Sequence, residues 1–138
     1  MTEAARARMT PLAAFGAEVI GTAILLLVIF CVTDEQNKAR PQVLTAATIG
    51  LTVTLLISLL GPLTMACFNP ARHLAPRAFS SVAGWGAVPF AIIPSRNNRN
   101  HSAVNGHGWL TVCVLATLLG GLLGGAFYQA FFRPSFET

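Results

Sequence analysis

The run Phe68-Asn69-Pro70-Ala71-Arg72 decides how this chain reads. It stands at the end of one apolar stretch and before another half-buried one, where a membrane protein ordinarily has no room for polar backbone. Asn followed by Pro is a strong helix start: the Asn side chain caps, and Pro at the first helical position gives up only an N–H that has no helical partner anyway. A helix is therefore expected to begin inside the bilayer. Its N-terminal end carries a partial positive charge and Arg72, one turn in, adds a full one, so both repel cations and hydrated protons. The Asn69 amide still offers donors to a passing neutral solute. This chemistry points to a pore.

The composition agrees with a membrane setting. Of 138 residues, 54% are hydrophobic and only 10% charged, with a mean hydropathy of +0.62. A helical span needs about 20 mainly apolar residues, and three windows meet or nearly meet this: Leu12 to Val32, Val43 to Leu60 and Trp109 to Phe132. The reading is an all-α membrane protein with three transmembrane helices and one re-entrant half-helix. It forms a single domain over residues 1–138, with helices at 12–33, 43–61 and 109–132, a re-entrant segment at 62–80 and a polar loop at 94–108. Arg6 and Arg8 precede the first window as a signal peptide's basic region would, but the apolar part is too long and no small-x-small cleavage site follows.

Next to the motif, Gly61-Pro62 is expected to end the second helix, leaving Leu63 to Phe68 extended and buried. Irregular backbone at membrane depth is tolerated only where protein surrounds it or water lines it, so the carbonyls of Ala66, Cys67 and Phe68 are expected to face an aqueous path. A short helix from Pro70 to about Ser80 then returns toward the same surface. Glu18 lies about 9 Å past Leu12 at 1.5 Å per residue, deep enough to need a donor. It either snorkels to the interface or anchors the irregular loop, and the anchor is the favoured reading. Thr45, Thr48, Thr52, Thr54 and Ser58 are expected to bond their own i−4 carbonyls or a neighbouring helix.

Elsewhere the residues carry less chemistry. Residues 1–11 read as a flexible tail, and Thr33 to Gln42 as a polar reversal. In the Asn-rich loop, His101 and His107 are expected to be solvated, and Asn100-His101-Ser102 fits a glycosylation triplet without a secretory context to use it. Gly120, Gly121, Gly124 and Gly125 make overlapping small-xxx-small patterns, which signal close helix contact. Trp109 and Tyr128 are expected as interfacial aromatics, with Arg133 capping the exit. Cys31, Cys67 and Cys113 show no CxxC spacing and no His partner at ligand distance, so they read as small core residues, with no metal and no cofactor. The charge of +4 is scattered without an aromatic-interleaved patch, which argues against nucleic acid. An enzyme is not expected, since Cys67 and His73 lack a third orienting group.

With NPAR after GPLT, and with APRAF and AGWG following, the sequence resembles the second half of an aquaporin, particularly of the glycerol-facilitator branch. The likeness runs from about Pro11 to Phe132 and includes Glu18 and the glycine-rich last helix; the Asn-rich loop looks foreign to it. In that family two inverted halves meet at the membrane centre with their Asn-Pro-Ala ends facing across a single-file pore. The resemblance implies that Asn69, Pro70 and Ala71 belong to that meeting point and that Arg72 is the filter arginine. By gap-free spacing, the remaining filter positions of this half fall on Ala66 and Ile57. Ile57 stands where water-selective members have histidine, so the filter implied is wider and partly apolar, suited to glycerol, urea or small undissociated acids. Arg77 resembles the basic residue of glycerol channels.

This chain departs from the glycerol pattern at His73, which stands in place of Asp, and at Val114-Leu115, which stands in place of Pro-Leu. A charged His73 would strengthen the anion-favouring field beside Arg72; a neutral one would bond a loop carbonyl.

A single NPA and no internal repeat within 138 residues leave three expectations: a fragment, a partner subunit supplying the N-terminal half, or self-pairing in opposite orientations. With Arg72 and Arg77 set aside as buried, basic residues divide four (Arg6, Arg8, Arg96, Arg99) against three (Lys38, Arg40, Arg133), so orientation is weakly specified. The preferred expectation is an antiparallel homodimer in a cell or inner membrane, a passive channel for water and small neutral solutes, with a tetramer of pores implied by the resemblance. The alternative is a non-conducting membrane subunit that acts only in assembly.

Overall fold

Thr10 opens the first helix, α1 (Pro11–Thr33), by accepting the Ala13 N–H on its hydroxyl at 3.2 Å, and Pro11 takes the first helical position. The computed structural model describes residues 10–40, 42–87 and 110–136. Residues 1–9 of the expected tail at 1–11, the polar loop at 94–108, Trp109, and the two histidines and two arginines of that loop lie outside them. Two more spanning elements follow, α2 (Thr45–Thr64) and α4 (Thr111–Phe136), with the short α3 (Pro70–Ser80) between them. At 1.5 Å per residue, 23, 20 and 26 residues give lengths of roughly 35, 30 and 39 Å, each enough for a hydrocarbon core of about 30 Å. The 11 residues of α3 reach only about 16 Å, half of it. The chain is thus an all-α multi-pass membrane protein.

Polar groups at the α1–α2 reversal close the helix ends. Asn37 donates its side-chain amide to the Cys31 carbonyl at 2.7 Å, Arg40 reaches the Thr33 carbonyl, and Thr45 donates across to Val32 of α1. Along α2, the hydroxyls of Thr48, Thr52, Thr54 and Ser58 all donate to carbonyls four residues back.

The helix α1 is central, packed against both α2 and α4. Its contact with α4 rests on two glycines. A Cβ on Gly120 would lie 2.4 Å from the Val19 carbonyl oxygen, and one on Gly124 would lie 2.5 Å from that of Ala23. Only hydrogen fits there. Gly121 and Gly125 flank the seam and meet side chains, Leu26 and Phe30.

Three expectations are corrected. First, α2 continues past Gly61-Pro62 to Thr64. Pro62 lacks an N–H but does not break the turn, because the Met65 N–H still bonds the Gly61 carbonyl at 3.1 Å. The irregular segment is correspondingly shorter, Met65 to Asn69. Second, Tyr128 is packed inside the bundle rather than presented on its surface as an interfacial aromatic: it is 3% exposed, lies among Phe30, Phe132 and Phe136, and donates its hydroxyl to Asp34 at the end of α1. That bond, with a second from the Gln36 N–H, holds the Asp34 carboxyl below its ordinary range. Third, α4 runs on through Arg133 to Phe136, so Arg133 sits within the helix and donates to Gln129 rather than capping an exit.

Candidate functional site

Left-handed backbone shapes the loop between α2 and α3. Met65, Ala66 and Phe68 have φ of 68°, 49° and 42°, and none is glycine. Each such residue costs about 1–2 kcal/mol, roughly 3–6 in all, so something must hold the segment in place.

Glu18 supplies the hold. Its carboxyl group, 0% exposed, accepts the Cys67 N–H at 2.9 Å on one oxygen and the Phe68 N–H at 3.0 Å on the other. The Thr64 hydroxyl donates to the first oxygen as well. Leaving the two buried N–H groups without acceptors would cost about 1–3 kcal/mol each, which offsets a strain of that size. The Phe68 ring completes the seat by lying over Gly21, where an added Cβ would come within 2.6 Å of it.

The irregular run ends at Asn69, whose N–H closes a tight turn onto the Cys67 carbonyl. Of the three carbonyls expected to line a water path, that of Cys67 is therefore engaged within the loop itself. The Asn69 side-chain oxygen accepts from the N–H groups of Ala71 at 2.9 Å and Arg72 at 3.4 Å, capping α3. With its oxygen so committed, the amide N–H₂ is the end left to point outward, and Asn69, Ala71 and Arg72 are all exposed.

Ala66 is 2% exposed and clusters with Leu56 and Phe68, with Ile57 packed against them. Two of the expected filter positions thus meet in one apolar cluster, whereas Arg72 stands on the exposed face.

The cysteines depart from expectation. Cys67 and Cys113, 46 residues apart, are joined by a disulfide that links the loop to α4, with a Cα–Cα distance of 5.1 Å. His73, one turn into α3, brings a ring nitrogen within 4.8 Å of both sulfurs. Cys67 and Cys113 are buried core residues as expected, but the expectation that no histidine lies near them is overturned, because the return of α3 beside the loop places all three together. Gly21 and Thr64 also escape a sequence reading, since their roles depend on which helix lies opposite. Only Cys31 keeps a free thiol among the described cysteines.

Residues 1–128 match the major intrinsic protein family. The chain belongs to that family. This major intrinsic protein is 35% identical to human aquaporin-9 over 111 residues, covering 79% of this chain and 34% of the relative. It is 36% identical to aquaporin-8 of Milnesium tardigradum over 123 residues, 89% of this chain and 32% of the relative. Against the glycerol uptake facilitator protein of Pseudomonas aeruginosa the identity is 42% over 77 residues, 56% of this chain and 28% of the relative. The chain thus spans about a third of the length of the curated relatives it matches.

Proposed function

We propose that the chain supplies one half of a passive channel for water and small neutral solutes such as glycerol or urea, and that it is a transporter rather than an enzyme. One observation carries this reading: Asn69 and Arg72 are exposed at the tip of a half-helix that starts within a membrane-spanning bundle. A guanidinium at that depth cannot face lipid and needs protein or water opposite it. A second half placed against this face, with a file of water between, meets that need. The Asn69 amide and Arg72 then donate to a solute oxygen while the helix end and the guanidinium repel cations. Ile57, only partly buried, offers no polar contact, which favours solutes with an apolar edge.

The names of the relatives support both branches of substrate, aquaporins on one side and a glycerol uptake facilitator on the other. Vesicles containing the protein are expected to take up glycerol and to shrink osmotically faster than empty ones. Arg72→Ala should weaken cation exclusion, and Ile57→His should favour water over glycerol. Rates equal to those of empty vesicles would sink the channel reading and leave an assembly role.

For the covering half we favour a second copy in the opposite orientation, motivated by the single NPA and the even division of basic residues. Both mouths of such a pore carry an Arg72, giving a symmetric filter. Single-cysteine labelling from each side of the membrane tests it: labelling of every copy from one side alone rules out the antiparallel pair.

A further inference from the structure

Cys67, Cys113 and His73 come from three separate elements, the loop, α4 and α3, and their side chains neither accept the loop's N–H bonds nor cap α3. We propose that, when the Cys67–Cys113 bond is reduced, these three side chains form a binding site for a thiophilic divalent cation of the zinc class. The site stands whether or not the pore conducts.

Geometry comes first. Zinc takes sulfur at about 2.3 Å and nitrogen at about 2.0–2.1 Å in a tetrahedron, so neighbouring ligand atoms lie roughly 3.4–3.8 Å apart. All three ligand atoms already lie within 4.8 Å of one another, a gap that rotation of two released cysteine side chains can close. The backbones need not move, because Cys67 is fixed by its N–H bond to Glu18 and Cys113 lies fully buried in α4.

Charge selects the ion. Two thiolates cancel a divalent charge, and a neutral imidazole adds none, so the complex is neutral where net charge is costly. Two sulfurs and an imidazole suit zinc and disfavour magnesium or calcium, which want oxygen. A fourth position is left for water, as in zinc sites with three protein ligands.

The two states exclude each other and balance as ordinary thiol chemistry. Two molecules of a small thiol reduce the bond and leave joined as their own disulfide, passing two hydrogens to Cys67 and Cys113. Metal binding then displaces both thiol protons to solvent. In either state the loop stays fastened to α4, by a covalent bond in one and a metal in the other.

The test uses the full chain in detergent on a Cys31→Ser background, reduced with a phosphine that is then removed, and titrated with Co(II). Expected are a thiolate-to-cobalt charge-transfer band and the intense visible bands of tetrahedral cobalt, saturating at one ion per chain and bleached by zinc. His73→Ala should keep the charge-transfer band but weaken binding at least about tenfold. Cys67→Ser/Cys113→Ser should abolish it. The same sequence reoxidised with diamide should show none, a control free of any folding defect in the variants. Only the faint spectrum of aquated cobalt in the reduced protein, or equal bands in the double-serine variant, overturns the site.

Discussion

Glu18→Ala is expected to release the loop from Met65 to Asn69 and to destabilise the protein by roughly 2–6 kcal/mol, the cost of leaving two buried N–H groups without acceptors at about 1–3 kcal/mol each. The substitution removes the acceptor of the Cys67 and Phe68 N–H groups while three left-handed residues remain to be held. Glu18→Gln is the sharper variant. Each carboxyl oxygen takes a different backbone N–H, so an amide, with one oxygen and one N–H₂, must set a donor against a donor at one of them. It should lose nearly as much as alanine despite matching glutamate in size. Equilibrium unfolding in mixed micelles reads both, and a glutamine variant as stable as the parent would show that the two-oxygen grip does not matter.

The second large effect is expected at the α1–α4 seam. Gly120→Ala sets a methyl 2.4 Å from the Val19 carbonyl oxygen and 2.9 Å from the Thr22 Cβ; Gly124→Ala sets one 2.5 Å from the Ala23 carbonyl oxygen. These neighbours belong to a helix backbone and its first side-chain atom, so relief requires moving the helix. About 1–3 kcal/mol or more should be lost at each position. The adjacent glycines provide the contrast. At Gly121 the nearest atom is the end of the Leu26 side chain at 3.0 Å, which can turn aside, and at Gly125 it is Phe30 at 3.5 Å, an ordinary contact. Alanine should be near neutral at the first and stabilising by about 0.5–1 kcal/mol at the second, through helix propensity. Four alanine variants compared in one unfolding assay decide it; equal losses at all four would mean that loss of flexibility, not contact, governs the seam.

These two cases mark what a sequence can and cannot disclose here. The all-α membrane architecture is legible because apolar run length and a capped Asn-Pro start are local signals, written within a few residues of where they act. The glycine pattern announces a close contact, yet it does not tell that Gly120 and Gly124 meet backbone while Gly121 and Gly125 meet side chains; that depends on the rotation of α4 against α1. Glu18 visibly needs a donor at its depth, but its particular donors lie 46 to 50 residues away. Pro62 misleads because a breaker near a helix end costs little while the Met65 N–H still reaches the Gly61 carbonyl. Tyr128 reads as interfacial only until Asp34 is brought to its hydroxyl. The Cys67–Cys113–His73 cluster is invisible for the same reason: it exists only after α3 has turned back.

The grip on the loop has a consequence for the proposed pairing of halves. Glu18, Thr64, Gly21 and the Asn69 cap all belong to the same chain as the segment they fix, so the loop needs no partner to take its shape. Ordering five residues from Met65 to Asn69 would cost about 5–10 kcal/mol of backbone conformational entropy if it waited for association. Here that ordering is complete within the folded half. In the proposed pairing, a second half would therefore meet a preorganised surface, leaving more of its contact energy for affinity and for choosing one partner over another.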